Sequence, residues 1–462
     1  MKCLLTILLC GYSLAVSAQP EKAKAIDSLL RAAHAIGVFN GNALVAEGGK
    51  IIYQGAIGDA DAGKSRPLSM DFRFQIGSIS KEFNSVGIMV LQKRGLLSLE
   101  DSVSRFLTWL PPWAGKIKIK DLLQYTSGLP QSNAGTGAEY RTELQNLRQL
   151  AFEPGTAYIY SNDNIYLQQR IIETITGRTY DSFVKDVLLK AAGMRGAVID
   201  SFPGVERVAR PFDNDGVETP DMQKVNGLFV TAADLFKWAM ALQTDKVISR
   251  TGVHELSANF GQNESSLGNV IWAGERIDWH VHQGSGYNYE SLLYSSETNG
   301  ATIILLTNNQ EFKVQELKDA ILNLLQGKPY TVPKKSVYLD LRTKVFDDFD
   351  KGLVFYEMIK SEEKDKYDLS NLPNDLYNTA KYLMRRSRYD DAIKILHLST
   401  LEDLTNKGGM SYAFMLIGQC YQNKGEKKLS EVYYSKSVEL DPTNKNAQGM
   451  LDEIRKENRP AN

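Results

Sequence analysis

Phe72-Arg73-Phe74-Gln75-Ile76-Gly77-Ser78-Ile79-Ser80-Lys81 is the stretch on which the reading of this chain turns. Its first half alternates like a short strand, it breaks at Gly77, and an apolar helical pattern then runs over Lys81–Lys93. Ser78 therefore stands at the opening of a helix, where the positive end of the backbone dipole favours negative charge developing on a hydroxyl. Lys81 follows one turn later on the same face, within reach of that hydroxyl. A serine in this position is either a helix N-cap, a common role, or a nucleophile.

Position alone leaves the two readings open, because S-x-x-K occurs three times. Ser182-Phe183-Val184-Lys185 lies in an amphipathic pattern over Tyr180–Lys190, and Ser361-Glu362-Glu363-Lys364 in a charged, solvated stretch. Two distant motifs single out Ser78. Tyr160-Ser161-Asn162 follows the turn Glu153-Pro154-Gly155-Thr156, and His282-Gln283-Gly284, the one H-x-G in the chain, falls on a predicted strand before Ser285-Gly286. A glycine at 284 lets a substrate backbone approach the strand edge closely. No Ser-His-Asp arrangement is evident, so the candidate bases for Ser78 are Lys81 and Tyr160. His280-Val281-His282 also has a spacing that can bind zinc, but the sequence offers no third ligand, and neither metal nor cofactor is expected.

Working outward, Asn42–Val45 and Lys50–Gln54 read as strands around the hairpin signal Glu47-Gly48-Gly49. Helical periodicity precedes them over Ala23–Ile36 and dominates from Lys81 to about Met194. Strand patterns return near Glu275–His282, Glu290–Ser295 and Ala301–Thr307. An α/β layer split by a mostly helical insertion accounts for that order. Pro333-Lys334-Lys335 marks an exit, and from about Leu341 the pattern is helical nearly to the end.

The first residues differ from the rest. Met1-Lys2 precedes an apolar run over residues 3–16, and Val16-Ser17-Ala18 supplies small residues before Gln19-Pro20. The run is too short to span a bilayer, so residues 1–18 read as a secretory signal, with no membrane span expected after its removal. Cys3 and Cys10 would leave with it, making Cys420 the only cysteine and an internal disulfide impossible. The balance of 54 Lys+Arg against 55 Asp+Glu gives no footprint of a nucleic-acid binder.

The order S-x-x-K, Y-x-N, H-x-G resembles the class C β-lactamase-like serine hydrolases, a group that includes carboxylesterases, D-amino-acid peptidases and penicillin-binding proteins. The resemblance extends through Asp121–Pro130, Gly227-Leu228-Phe229, Thr231–Leu235 and Leu305–Asn308, and covers roughly residues 25–310. It implies an antiparallel sheet flanked by helices plus a mostly helical subdomain over residues 19–330. Residues 331–462 resemble an all-α tetratricopeptide-repeat-like domain, on the strength of Ala380 to Leu396 and Ile417-Gly418 to Pro442. In the roles the resemblance implies, Ser78 carries the acyl group, and Tyr160 protonates the leaving group and helps activate the deacylating water. Asn162 holds Lys81 and the substrate, and the backbone N–H groups of Ser78 and Ser285 form the oxyanion hole.

One departure bears on substrate. Many β-lactamases and transpeptidases carry lysine where this chain has His282, and histidine brings less charge to a substrate carboxylate. The sequence therefore points to an exported, periplasmic or secreted hydrolase of esters or small peptide-like amides. A D-amino-acid peptidase, penicillin-binding protein or β-lactamase is the alternative within the class. A scaffold protein that binds a protein partner through residues 331–462 is the alternative outside it.

Overall fold

The computed structural model of the 462-residue chain describes residues 2–132, 134–201, 205–213, 216–219 and 226–458. It divides into two compact units, Met1–Val332 and Pro333–Asn462.

The first unit is organised on a six-stranded sheet. Its strands are β1 (Gly41–Glu47), β2 (Lys50–Ile57), β6 (Asn269–Ala273), β7 (Arg276–Gly286), β8 (Tyr289–Ser295) and β9 (Ala301–Thr307). They lie in the order β2-β1-β9-β8-β7-β6, with every neighbouring pair antiparallel. The hairpin signal is realised, since Gly48 and Gly49 turn the chain at φ +56° and +75° between β1 and β2.

Side chains alternate across the sheet, and this alternation separates two cores. Ala43, Val45, Leu292, Ile303 and Leu305 face the helices Lys2–Ala35 and Val314–Leu325, meeting Leu29, Leu30, Leu317 and Ile321. Leu44, Leu293, Ile304 and Leu306 face the other way, into the core of the helical insertion. The helix expected over Ala23–Ile36 is thus the C-terminal part of a longer one that runs through Pro20. Among the described residues, no helix is long and apolar enough to cross a membrane.

A second, three-stranded sheet was not evident in the sequence pattern. It pairs β3 (Phe74–Gln75), β5 (Asn226–Val230) and β4 (Val198–Ser201) in the order β3-β5-β4. It delivers the chain into the turn Gly77–Ser80 and then the helix Lys81–Lys93. Every residue from Glu82 to Leu91 on that helix is buried. A helix enclosed on all sides is a core element, and here it fixes whatever its N-terminus carries.

The second unit is a run of helices. Val337–Asp347, Phe349–Ser361, Leu372–Met384, Tyr389–Glu402, Lys407–Asn423, Lys427–Leu440 and Lys445–Asn458 surround one apolar core. The segments singled out at Ala380–Leu396 and Ile417–Leu440 fall on two successive helix pairs. Small residues set the spacing: a Cβ on Gly418 would lie 2.5 Å from the Tyr434 ring.

Candidate active site

Ser78 sits in the tight turn that precedes the buried helix, and the helix itself supplies the first partner. Lys81 Nζ donates to Ser78 Oγ at 3.0 Å. The second comes from 82 residues away, where the Tyr160 hydroxyl donates to the same oxygen at 2.8 Å. The ammonium of Lys81 also stands 5.0 Å from the centre of the Tyr160 ring. The N-cap alternative fails for Ser78, because the helix starts after Ser80 and neither that residue nor Ile76 caps through its side chain.

The position of Tyr160 is set by a folded-back loop. Ile159 N–H donates to the Tyr125 carbonyl at 3.0 Å, and Gly155 N–H to that of Thr126 at 2.8 Å. Tyr125 itself is buried in the left-handed region at φ +56°, a conformation a bulky residue adopts only where its surroundings impose it. Its ring packs on that of Tyr160 with centroids 4.9 Å apart. Burial, aided by the neighbouring Tyr160, pushes the Tyr125 hydroxyl well above the ordinary phenol range, so it stays a neutral wall.

The third side is β7. A Cβ on Gly284 would lie 1.9 Å from the Ile76 carbonyl oxygen and 2.8 Å from Ser78 N. A Cβ on Gly77, which has φ +53°, would lie 2.4 Å from Ser285 N. Only glycine at both positions lets the strand pass this close to the nucleophile's turn. The backbone amides of Ser78 and Ser285 are thereby brought to the same corner of the site, as an oxyanion hole requires. Ser291 Oγ donates to the Ile76 carbonyl at 2.8 Å and ties β8 to the same turn.

Two expected site residues are placed differently. Asn162 begins the helix Asn162–Thr176 with an exposed side chain near the Tyr140 hydroxyl. Ser161, the N-cap, turns inward and accepts from Asp163 N–H, which fixes residue 162 on the outer side of the first turn. His282 is 2 % exposed, and its Nδ1 lies 2.8 Å from Glu82 Oε1. His280 Nε2 lies 3.0 Å from the same oxygen, so the H-x-H spacing places two rings on one carboxylate.

Glu82 was not singled out by sequence. It is fully buried, and Trp238 Nε1 donates to its other oxygen at 2.6 Å. Burial acts to raise its pKa, yet the electrostatic and hydrogen-bonding contacts from His280 and His282 outweigh that and hold the carboxyl down at about 2. A carboxylate in the first turn of a helix that turns strongly apolar was the available signal, since such a group is buried only with partners.

The other two S-x-x-K serines are engaged locally. Arg178 Nη2 donates to Ser182 Oγ at 2.7 Å, and Ser361 Oγ donates to the Glu357 carbonyl at 2.9 Å.

Comparison with known proteins identifies the family. Penicillin-binding protein 4* of Bacillus subtilis is 28% identical over 363 residues, covering 67% of this chain and 77% of that protein. Esterase EstB of Burkholderia gladioli is 29% identical over 231 residues, 42% of this chain and 57% of the esterase. Among solved structures, the D-amino acid amidase of Ochrobactrum anthropi superposes with a TM-score of 0.56 at 22% identity, over 66% of this chain and 99% of that one. Residues 23–328 match the family described as Beta-lactamase, so the chain belongs to the β-lactamase family and is a serine hydrolase.

Proposed function

We propose that the protein is an exported hydrolase of esters and small peptide-like amides that works through an acyl-enzyme on Ser78. The observation that carries this reading is the single oxygen, Ser78 Oγ, with two proton-transfer partners at 3.0 and 2.8 Å. In acylation, Oγ attacks the substrate carbonyl while its proton passes to whichever partner is in its basic form, the free amine of Lys81 or the phenolate of Tyr160. The carbonyl oxygen becomes an oxyanion between the amides of Ser78 and Ser285. Tyr160 then protonates the leaving group, and the same pair removes a proton from the water that releases the acyl group.

His282 directs the substrate class. A β-lactam or a peptide ending in D-alanine presents a carboxylate beside the bond to be cleaved. Here the residue that would receive it is a buried histidine already bonded to a carboxylate. An ester needs no such partner, and a relative named as an esterase matches 42% of this chain. The peptidase reading is kept alive by the relative named Penicillin-binding protein 4*, which matches over a longer span. Residues 1–18 are read as the export signal, and residues 331–462 as a tetratricopeptide-like module for a protein partner.

Parallel assays decide between the readings. Short-chain p-nitrophenyl esters are turned over, and nitrocefin is cleaved weakly or not at all. Efficient nitrocefin cleavage with esters untouched overturns the assignment in favour of a penicillin-recognising enzyme.

A further inference from the structure

Glu82 follows Lys81 directly, and His282 precedes Gly284 by two residues on one face of β7. The bond between them therefore joins the helix that carries the nucleophile to the strand that carries the oxyanion donor, each at a point beside its working residue. Three donors converge on the carboxylate: Trp238 Nε1 on Oε2, with His280 Nε2 and His282 Nδ1 on Oε1. An ionised carboxylate only accepts hydrogen bonds, so the ring nitrogen facing it carries the proton.

We propose that Glu82 is a positioning residue for the reaction: it holds His282 as the tautomer protonated at Nδ1 and so clamps β7 to the nucleophile's helix. This rests on the hydrolase reading of Ser78.

The surroundings support a role beyond packing. A buried carboxylate confers no stability that apolar residues of similar volume would not match, and often less. Its cost is met here by three groups drawn from two elements, Trp238 on the helix Ala232–Gln243 and the two histidines on β7. His280 has a second acceptor, the Leu267 carbonyl at 2.9 Å from Nε2, which fixes its own tautomer without Glu82. His282 is the ring whose protonation pattern Glu82 decides. Gly268 seats that ring, since a Cβ there would lie 2.7 Å from His282 Cγ.

Glu82→Gln is the informative variant. Indole N–H can only donate, so the new amide oxygen turns to Trp238 and its NH2 faces His282. The ring must then accept at Nδ1 and carry its proton at Nε2. Long-range proton–nitrogen NMR of the full chain, which has five histidines, reads this directly, with His280→Asn and His282→Asn assigning the signals. We expect the Nδ1–H tautomer at His282 in the wild type and Nε2–H in Glu82→Gln. Ester turnover per Ser78 titrated with a fluorophosphonate falls by about 10–100-fold, the loss seen when the carboxylate behind a metal-bound histidine is removed. Glu82→Asp, which keeps an acceptor, retains the Nδ1–H tautomer and more of the turnover. A purely structural role lowers the titratable fraction and leaves turnover per titrated site unchanged, and that result overturns the proposal. So does an Nε2–H tautomer in the wild type, which decides the matter even if Glu82→Gln does not fold. Absence of Ser78 labelling sinks the hydrolase reading instead and leaves the tautomer result standing.

Discussion

Ser78-Ile79-Ser80-Lys81 and Ser182-Phe183-Val184-Lys185 share a motif, a unit and a place near a helix start, yet the first is the proposed reaction centre and the second is not. At Ser182 the hydroxyl is taken by Arg178, which also pairs with Asp186, and Lys185 is exposed. At Ser78 the lysine reaches the hydroxyl, and everything else arrives from afar: Tyr160 from a folded-back loop, Gly284 and Ser285 from β7. The four-residue spacing supplies a serine and a lysine on one helix face and no more. Chemistry appears where the fold adds a second proton-transfer group and a backbone edge.

Breaking the comparison at its centre gives the largest effect. Ser78→Ala lowers ester turnover by about 10⁴-fold or more, the scale of losing a covalent nucleophile. Ser182→Ala stays within about twofold, because its hydroxyl meets only a neighbouring guanidinium. Loss of activity in Ser182→Ala with folding intact would erase the distinction. Next come the partners that Ser182 lacks. Lys81→Ala and Tyr160→Phe each lower turnover by about 10²-fold, the usual size for a lost acid–base group, measured as steady-state kcat on the same ester.

What was legible in the sequence follows the same division. The strand–turn–helix around Ser78 and the β1–β2 hairpin rest on local pattern, and the structure realises both. The strands β3, β4 and β5 are two to five residues long, too short for alternation to register. Glu82 was hidden because its partners lie 198 and 200 residues along the chain. Asn162 shows the reverse limit. The motif gave its type and place, but the inward turn of Ser161 decided which way its amide faces.

The second unit offers a gentler test. Gly418→Ala drives a methyl into the Tyr434 ring and destabilises that unit by about 1–3 kcal/mol, the cost of overpacking, while ester turnover is unchanged. Calorimetry beside kinetics checks both halves, and parallel loss of activity would show that the helical unit contributes to the site.

The smallest effect concerns the reverse face of the sheet. Glu290 pairs with Ser285 across β7 and β8 but turns away from the nucleophile. Burial raises its carboxyl to about 7, against hydrogen bonds from the Phe312 N–H and the Gln283 amide. A raised carboxyl binds its proton more tightly in the folded state. Its stabilising contribution is full below the ordinary carboxylate pKa and is lost as pH rises through about 7. The wild type therefore melts lower at about pH 8 than at about pH 5 through this group. Glu290→Gln flattens that slope in thermal melts, and an unchanged slope refutes the assignment.

Intact-protein and peptide mass spectrometry after exposure to a fluorophosphonate tests the central claim most directly. The account predicts one covalent adduct, mapped to the peptide containing Ser78 and absent from Ser78→Ala. An adduct on Ser182 or Ser361, or one that survives in Ser78→Ala, would contradict it.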